Sequence, residues 1–463
     1  MAKWFFIALT FCAAAARSQD ALSPTSQPAR PPGSAESQVP ALSVPTSATD
    51  QQIQRLQNRV KQVPADYAGY DELGAAFLQK ARETGDIAYY DLAEQTLKRS
   101  LELVPQDFRA AQPLVHLGLV CMGEHRFSDA LTYSQRALAL GSGDLAAFAL
   151  EGDAYTDMGD YDAAQAAYSA LRSLGGATSP PLRLAYMLDS RLAYLSFLHG
   201  DSAKAIRLMN SAIAAALQTQ QPPENLAWLY FELGERYFQA GDLANAEQSY
   251  GSGIASDPNH YRSLAGLAKV RAAQGRLDES IQLYQRSIGV IPFPVYVAEL
   301  GDVYKKMGRL KEAQDQYDLV EYIGHLSKLN QVLANRELAL FYSDHGIKLP
   351  EALEFAQTEL EVRHDVYTWD AMAWAFFKNG RFQEAAAAMK KALSLNTSDP
   401  MLLFHAGMIY HGQGDDSKAE LFLRRALETN PHFDVFSADV ASRTLDKIAG
   451  SRSHDLRSSN AHN

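Results

Sequence analysis

Apolar and polar positions along this chain follow two periods, one laid over the other. The short one is helical: Tyr230, Leu233 and Tyr237 stand three and four residues apart, on one stripe of an α-helix. The long one is 34 residues. Leu233, Gly234, Tyr237, Gly241, Leu243, Ala246, Tyr250, Gly253 and Pro258 are followed 34 positions later by Leu267, Ala268, Arg271, Gly275, Leu277, Ser280, Tyr284, Ser287 and Pro292. Leu300, Gly301, Tyr304, Gly308, Leu310, Ala313 and Tyr317 make a further copy. Near the C-terminus Ala373, Phe376, Gly380, Ala385 and Met389 recur as Gly407, Tyr410, Gly414, Ala419 and Leu423. Earlier, Gly118 and Ala130 recur as Gly152 and Ala164.

Each copy predicts a helix, a tight turn and a second helix. Gly241 supplies the left-handed residue that ends many helices. Asp242 suits the N-cap of the second helix, whose face carries Ala246, Tyr250 and Gly253. Pro258 cannot continue that helix. The small residues Gly234 and Ala246 predict that two helix backbones approach closely, with Tyr237 and Tyr250 filling the space beside them.

Three stretches depart from the period. The first unit, near residues 67–106, carries the extra string "KARETGDIAYYD", which should lengthen one or both of its helices. The string "GGATSPPL" precedes a degenerate unit near residues 182–220, and a third irregular unit lies near 333–362. The count comes to about ten units over residues 51–448. Gln51–Val63 and Phe433–Ile448 are expected to cap the two ends, because terminal repeats must shield the stack.

This pattern resembles the tetratricopeptide repeat family, whose 34-residue unit is a helix–turn–helix with these small and large positions. The resemblance implies an all-α, right-handed superhelical solenoid. The C-terminal third, from "NRELALFYSDHG" to "NPHFD", also resembles uncharacterised exported bacterial proteins of that family.

Composition adds the ends and removes some partners. "MAKWFFIALTFCAAAARSQDA" has Lys3, a short apolar run and small residues, the layout of a secretory signal peptide over residues 1–18. Residues 19–50 are rich in Pro, Ser, Ala and Thr and predict a disordered linker, and the polar residues 449–463 a disordered tail. The expectation is an exported protein, periplasmic or secreted, in a bacterial envelope. No segment after the signal is apolar and long enough to span a membrane. A net charge of −11 argues against a nucleic-acid partner. Removal of Cys12 with the signal leaves Cys121 alone, so no intramolecular disulfide is expected.

The sequence carries no phosphate-binding loop, dinucleotide fingerprint, nucleophile elbow or zinc-protease motif. His405 and His411 stand six apart, off any shared helix face, and His432 follows Asn430-Pro431 in a loop. Paired carboxylates such as Glu359 with Glu361, or Asp415 with Asp416, read as a solvated face and a helix start. Neither catalytic residues nor a metal or cofactor site is expected.

The family resemblance implies that the first helix of each pair lines a concave groove for a protein or peptide partner. Carried over position by position, the groove includes Glu235, Lys269 and Asp302, and two aromatic sets. One is Trp228, Phe231 and Phe238; the other is Tyr367, Trp374, Phe377, Phe404, Met408 and His411. Such rings either anchor a partner or pack against neighbouring helices. The expected function is that of a non-enzymatic scaffold or adaptor. The alternative is an enzyme of helical-toroid type acting on a polysaccharide.

Overall fold

The computed structural model describes residues 47–141, 143–174, 182–329 and 335–460. A single helix, α1 (Ala48–Gln62), precedes ten helix pairs. Units 1 to 5 are α2 and α3 (Tyr67–Thr84, Ala88–Leu103), α4 and α5 (Ala111–Gly123, Phe127–Ala139), α6 and α7 (Leu145–Asp157, Tyr161–Leu174), α8 and α9 (Leu182–Leu198, Ser202–Gln218), and α10 and α11 (Pro223–Gln239, Leu243–Ser256). Units 6 to 10 are α12 and α13 (Tyr261–Ala273, Leu277–Val290), α14 and α15 (Pro294–Lys306, Leu310–Leu329), α16 and α17 (Asn335–His345, Leu349–Glu359), α18 and α19 (Val366–Lys378, Phe382–Ala392), and α20 and α21 (Pro400–Gly412, Asp416–Thr429). A last helix, α22 (Ser437–Asn460), closes the chain. The fold is an all-α superhelical repeat.

The extra residues of unit 1 lengthen both its helices, to 18 and 16 residues against 13 for α4 and for α5. The first capping helix starts at Ala48 behind a Ser47 capping box, three residues ahead of the expected boundary. The last runs through Asn460, well past Ile448. The signal peptide and most of the linker lie outside the described residues, as do 175–181 between units 3 and 4.

The turn inside unit 5 follows its sequence closely. Gly241 sits at φ +77° and Asp242 caps α11, its carboxylate accepting from the Asn245 N–H. The reason for Gly234 differs from the expectation. A methyl group there would stand 2.6 Å from the Tyr250 ring, and one on Gly266 of the next unit 2.3 Å from the same ring. The glycines make room for an aromatic ring set between two units, rather than for contact between two backbones. Gly152 with Tyr168 and Gly301 with Tyr317 repeat the contact within the unit.

Late units fold back onto early ones, along what we call the seam. The glycines that end the first helices of units 3, 4 and 5 are Gly159, Gly200 and Gly241, each with positive φ. A methyl group on them would stand 2.4, 2.6 and 2.8 Å from the carbonyl oxygens of His364, Asn396 and Thr429. Those carbonyls belong to the loop before unit 9, the loop before unit 10 and the last residue of α21. Polar contacts follow the same line. The Val366 N–H donates to the Tyr161 hydroxyl at 2.9 Å, and Gln239 Nε2 donates to Asp399 at 3.0 Å. Asn430 Nδ2 donates to the Phe238 carbonyl at 2.7 Å. Arg363, 1% exposed, lies 3.6 Å from Asp157. At the other end Gln79 of α2 donates to Glu224 of α10 at 3.3 Å.

Candidate partner-binding site

The concave face of the first helices carries a repeated polar contact. In units 3, 5 and 7 the second-helix tyrosine bonds a carboxylate 15 residues before it: Tyr168 to Asp153 at 2.7 Å, Tyr250 to Glu235 at 2.6 Å, Tyr317 to Asp302 at 2.7 Å. Unit 6 has Lys269 at that position, and two things change. Lys269 reaches back 34 residues to Glu235, at 2.8 Å, and Tyr284 donates forward to Glu299 of the next unit, at 3.0 Å. Glu235 is fully buried; burial alone would raise its pKa, but Lys269 holds it below the usual carboxylate range. Glu299 has no cation in hydrogen-bonding contact among the described residues, and burial pushes its carboxyl up to about 7 against the pull of Lys269.

The nine residues expected to hold a partner divide by burial. Phe231, Phe238, Trp374 and Phe404 are at most 5% exposed, and Trp228, Tyr367, Phe377, Met408 and His411 are half-buried. Contacts within the chain account for the covered faces. Arg262 lies over the Phe231 ring at 5.9 Å, and Lys269 over Phe238 at 5.2 Å. Trp374 stacks on Phe377 at 5.0 Å and on His405 at 4.2 Å, and its indole N–H donates to Asp344 at 2.7 Å. Phe404 packs on Phe433 beyond the seam at 5.7 Å. The Tyr367 hydroxyl donates to Asp399 at 3.2 Å, and His411 pairs with Asp416 at 2.7 Å. Trp228 packs beside the buried Leu229 and Leu233 and the α9 side chains Met209 and Ile213. Side chains of the same and adjacent units therefore cover much of the surface the sequence predicts, with Phe433 of the loop after α21 over Phe404.

An open cleft of ≈ 230 Å³ remains where the loop after α21 crosses units 6 and 7. Its floor holds Lys269, Glu299, Asp302 and Lys306; its walls include Phe238, Tyr284 and Phe433; its far lip is Asp434, Val435 and Asp439. Lys306 spans the mouth, donating to the Val435 carbonyl at 3.1 Å and to Asp439 at 2.9 Å. Asp302 also faces His345, at 3.1 Å. Sequence reasoning had placed Lys269 and Asp302 on the groove but missed Glu299, Lys306, Asp434 and Asp439. The break in the tyrosine–acid spacing at unit 6 is the signal that could have found Glu299. For the two lip residues the sequence holds no local signal, since they arrive from the far end of the chain.

Cys121 is buried and its thiol is pushed up to about 12 by that burial, the setting of an inert side chain. Among the described residues no group of three His, Cys, Asp or Glu is arranged to hold a metal ion, and no helix is long and apolar enough to cross a membrane.

This geometry of stacked helix pairs, with a left-handed glycine in nine of the ten turns and His125 in the turn of unit 2, defines an α-solenoid of repeats. The tetratricopeptide repeat family model matches residues 149–222, 231–293 and 371–432, in agreement with the resemblance of the repeats to that family. Among curated proteins it is similar to DnaJ homolog subfamily C member 3 of Rattus norvegicus, 25% identical over 246 residues, which are 49% of this chain and 48% of that one. It is also similar to the Protein CTR9 homolog of Arabidopsis thaliana, 26% identical over 230 residues, 47% of this chain and 21% of that one. The chain thus spans about half the length of the first relative, or less for the second. Among solved structures, yeast Tom70 aligns at 12% identity and a TM-score of 0.39, over 86% of this chain and 96% of that one. A tetratricopeptide repeat protein from Parabacteroides merdae aligns at 18% identity and a TM-score of 0.33, over 57% and 99%.

Proposed function

We propose that this protein is a scaffold that holds a segment of a protein partner, and that it works after export, at a bacterial cell envelope. The observation carrying the first half is the cleft beside Glu299. It is an open space lined by residues of units 5, 6 and 7 and of the last loop, and contacts among them fix its shape. Pre-organisation of that kind limits the ordering cost of binding. The signal-like N-terminus supports the second half.

The reading is tested by site-specific photocrosslinking in cells. A crosslinker at Ala273, in the cleft, should yield an adduct with a defined protein, and one at Leu421, on the outer face, should not. Equal yields from both positions would overturn the assignment of the cleft. Export is tested by the mass of the mature chain, which should lack the first 16 to 18 residues.

One observation favours the enzymatic alternative: Glu299 is a carboxyl raised to about 7, as a general acid for glycoside cleavage must be. The second carboxylate such chemistry needs is poorly provided. Asp302 is engaged by Tyr317 and His345, Asp434 by the Phe436 and Ser437 N–H groups, and Asp439 by Lys306. A purified chain that hydrolyses a glycan and captures no partner would reverse this preference.

A further inference from the structure

We propose that the seam cleft is a socket for one basic side chain, arginine in preference to lysine, presented by the partner segment; this rests on the scaffold reading above. Size is the first argument. At ≈ 230 Å³ the cleft falls below the range of small-molecule pockets, roughly 300–1,000 Å³, and suits a single long side chain. Charge is the second. Lys306 is matched by Asp439, Lys269 by Glu235 and Asp302 by His345, which leaves Glu299 and Asp434 as the carboxyls around the space without an ion-pair partner among the described residues. Asp302 and Asp434 have hydrogen-bond donors already, whereas the only donor to Glu299 among the described residues is the Tyr284 hydroxyl, on Oε2. A planar guanidinium can bridge Glu299 and a second carboxylate at once, which a point-charge ammonium does less well. The walls are the third argument: Phe238, already under Lys269, and Phe433 line the space and give the stem of an entering side chain apolar contact.

The groups facing Glu299 are Lys269 of α12, Glu235 of α10, Tyr284 of α13, Asp434 of the last loop and Asp302 of its own helix. An entering cation favours the ionised carboxylate, so binding releases a proton when Glu299 starts protonated. Affinity should therefore rise with pH across the range where that carboxyl ionises.

The test is a ligand-observed NMR titration of the full chain with N-acetyl-arginine methylamide and with its neutral citrulline counterpart. The arginine compound should bind saturably and at least ~10-fold more tightly than the citrulline one. Its affinity should rise by up to about 10-fold from pH 6 to pH 8, with the citrulline compound unchanged. Glu299→Gln should remove most of the preference, whereas Glu279→Gln, at an exposed ion pair on α13, should leave it intact. Should Glu299→Gln fold poorly, Ala272→Trp fills the cleft from its rim and should abolish the same signal. Equal affinity for the two compounds, or arginine binding unaltered by Glu299→Gln, would overturn the proposal. A partner still crosslinked from Ala273 in a Glu299→Gln chain would end this inference and leave the scaffold reading standing.

Discussion

Asn430 donates its side-chain amide to the backbone carbonyl of Phe238, 192 residues earlier in the chain, at 2.7 Å and out of reach of water. The contact joins the loop after unit 10 to the end of α10. Losing it removes one buried hydrogen bond, worth about 0.5–1.5 kcal/mol, because the Phe238 carbonyl still accepts from the Gly241 N–H. Asn430→Ala should lower the melting temperature by about 1–3 °C. Hydrogen exchange should speed up in residues 431–436 and at the end of α10, while α4 and α5 stay protected. Unchanged exchange at both places would mean that the seam is not held here.

Matched glycines separate local from distant constraint. Gly241 and Gly308 occupy the same place in their units and have nearly the same φ, +77° and +75°. Asparagine tolerates that conformation better than most residues. Nothing lies within 4 Å of a methyl group on Gly308, whereas one on Gly241 meets the Thr429 carbonyl. Gly241→Asn should therefore be less stable than Gly308→Asn by about 1–3 kcal/mol, the usual cost of overpacking. Paired urea denaturation curves check the difference.

The buried ion pair of Glu235 and Lys269 makes an opposite kind of prediction. Lys269→Met strands a fully buried carboxylate and should cost about 3–5 kcal/mol. Adding Glu235→Gln should recover much of that loss, because Tyr250 still has an acceptor. A double variant as unstable as the single one would show that packing, not charge, dominates the site.

Glu337, 6% exposed, has its carboxyl raised to about 7, first by burial and then by the neighbouring Glu359, with Arg336 opposing. The unfolded chain gives up that proton near 4.3, so between there and 7 the folded state holds more protons and loses stability as pH rises. Glu337→Gln removes this dependence. Its stability relative to the parent should improve by about 2–3 kcal/mol from pH 4 to pH 7 and stay level above that. Thermal melts of both chains across pH 4–8 measure it; a constant difference would contradict the assignment.

Trp374 is the sharpest test of the aromatic set. Its ring is stacked on two sides and its N–H is bonded to Asp344, so Trp374→Ala should cost about 3–5 kcal/mol and reduce helicity on mild heating. Retained stability with lost partner binding would instead return this ring to the role of anchor.

The fold was largely legible because its rules are local. Gly241, Gly275 and Gly308 mark the same turn in three units, Asp242 caps the helix that follows it, and the insertion near residue 85 lengthens the helices on either side. The site was legible only in part. Position in the repeat names which side chains point inward, hence Phe231, Glu235 and Lys269. It says nothing about what meets them there, because a 34-residue period describes neighbours and the seam joins units that are not neighbours. Even the role of Gly234 depends on the Tyr250 ring rather than on its own helix.

Repeat stacks are usually quasi-one-dimensional: each unit leans on the next, and the array can melt or grow from an end. The Gly159, Gly200 and Gly241 contacts tie this stack into a second dimension. Fraying from the C-terminus would uncover the middle, so the chain should unfold more as one body than as a row. The same ties set an order of assembly. Synthesis runs from the N-terminus, so units 3 to 5 leave the ribosome with their turns bare and receive their final contacts only when the last residues of the solenoid arrive.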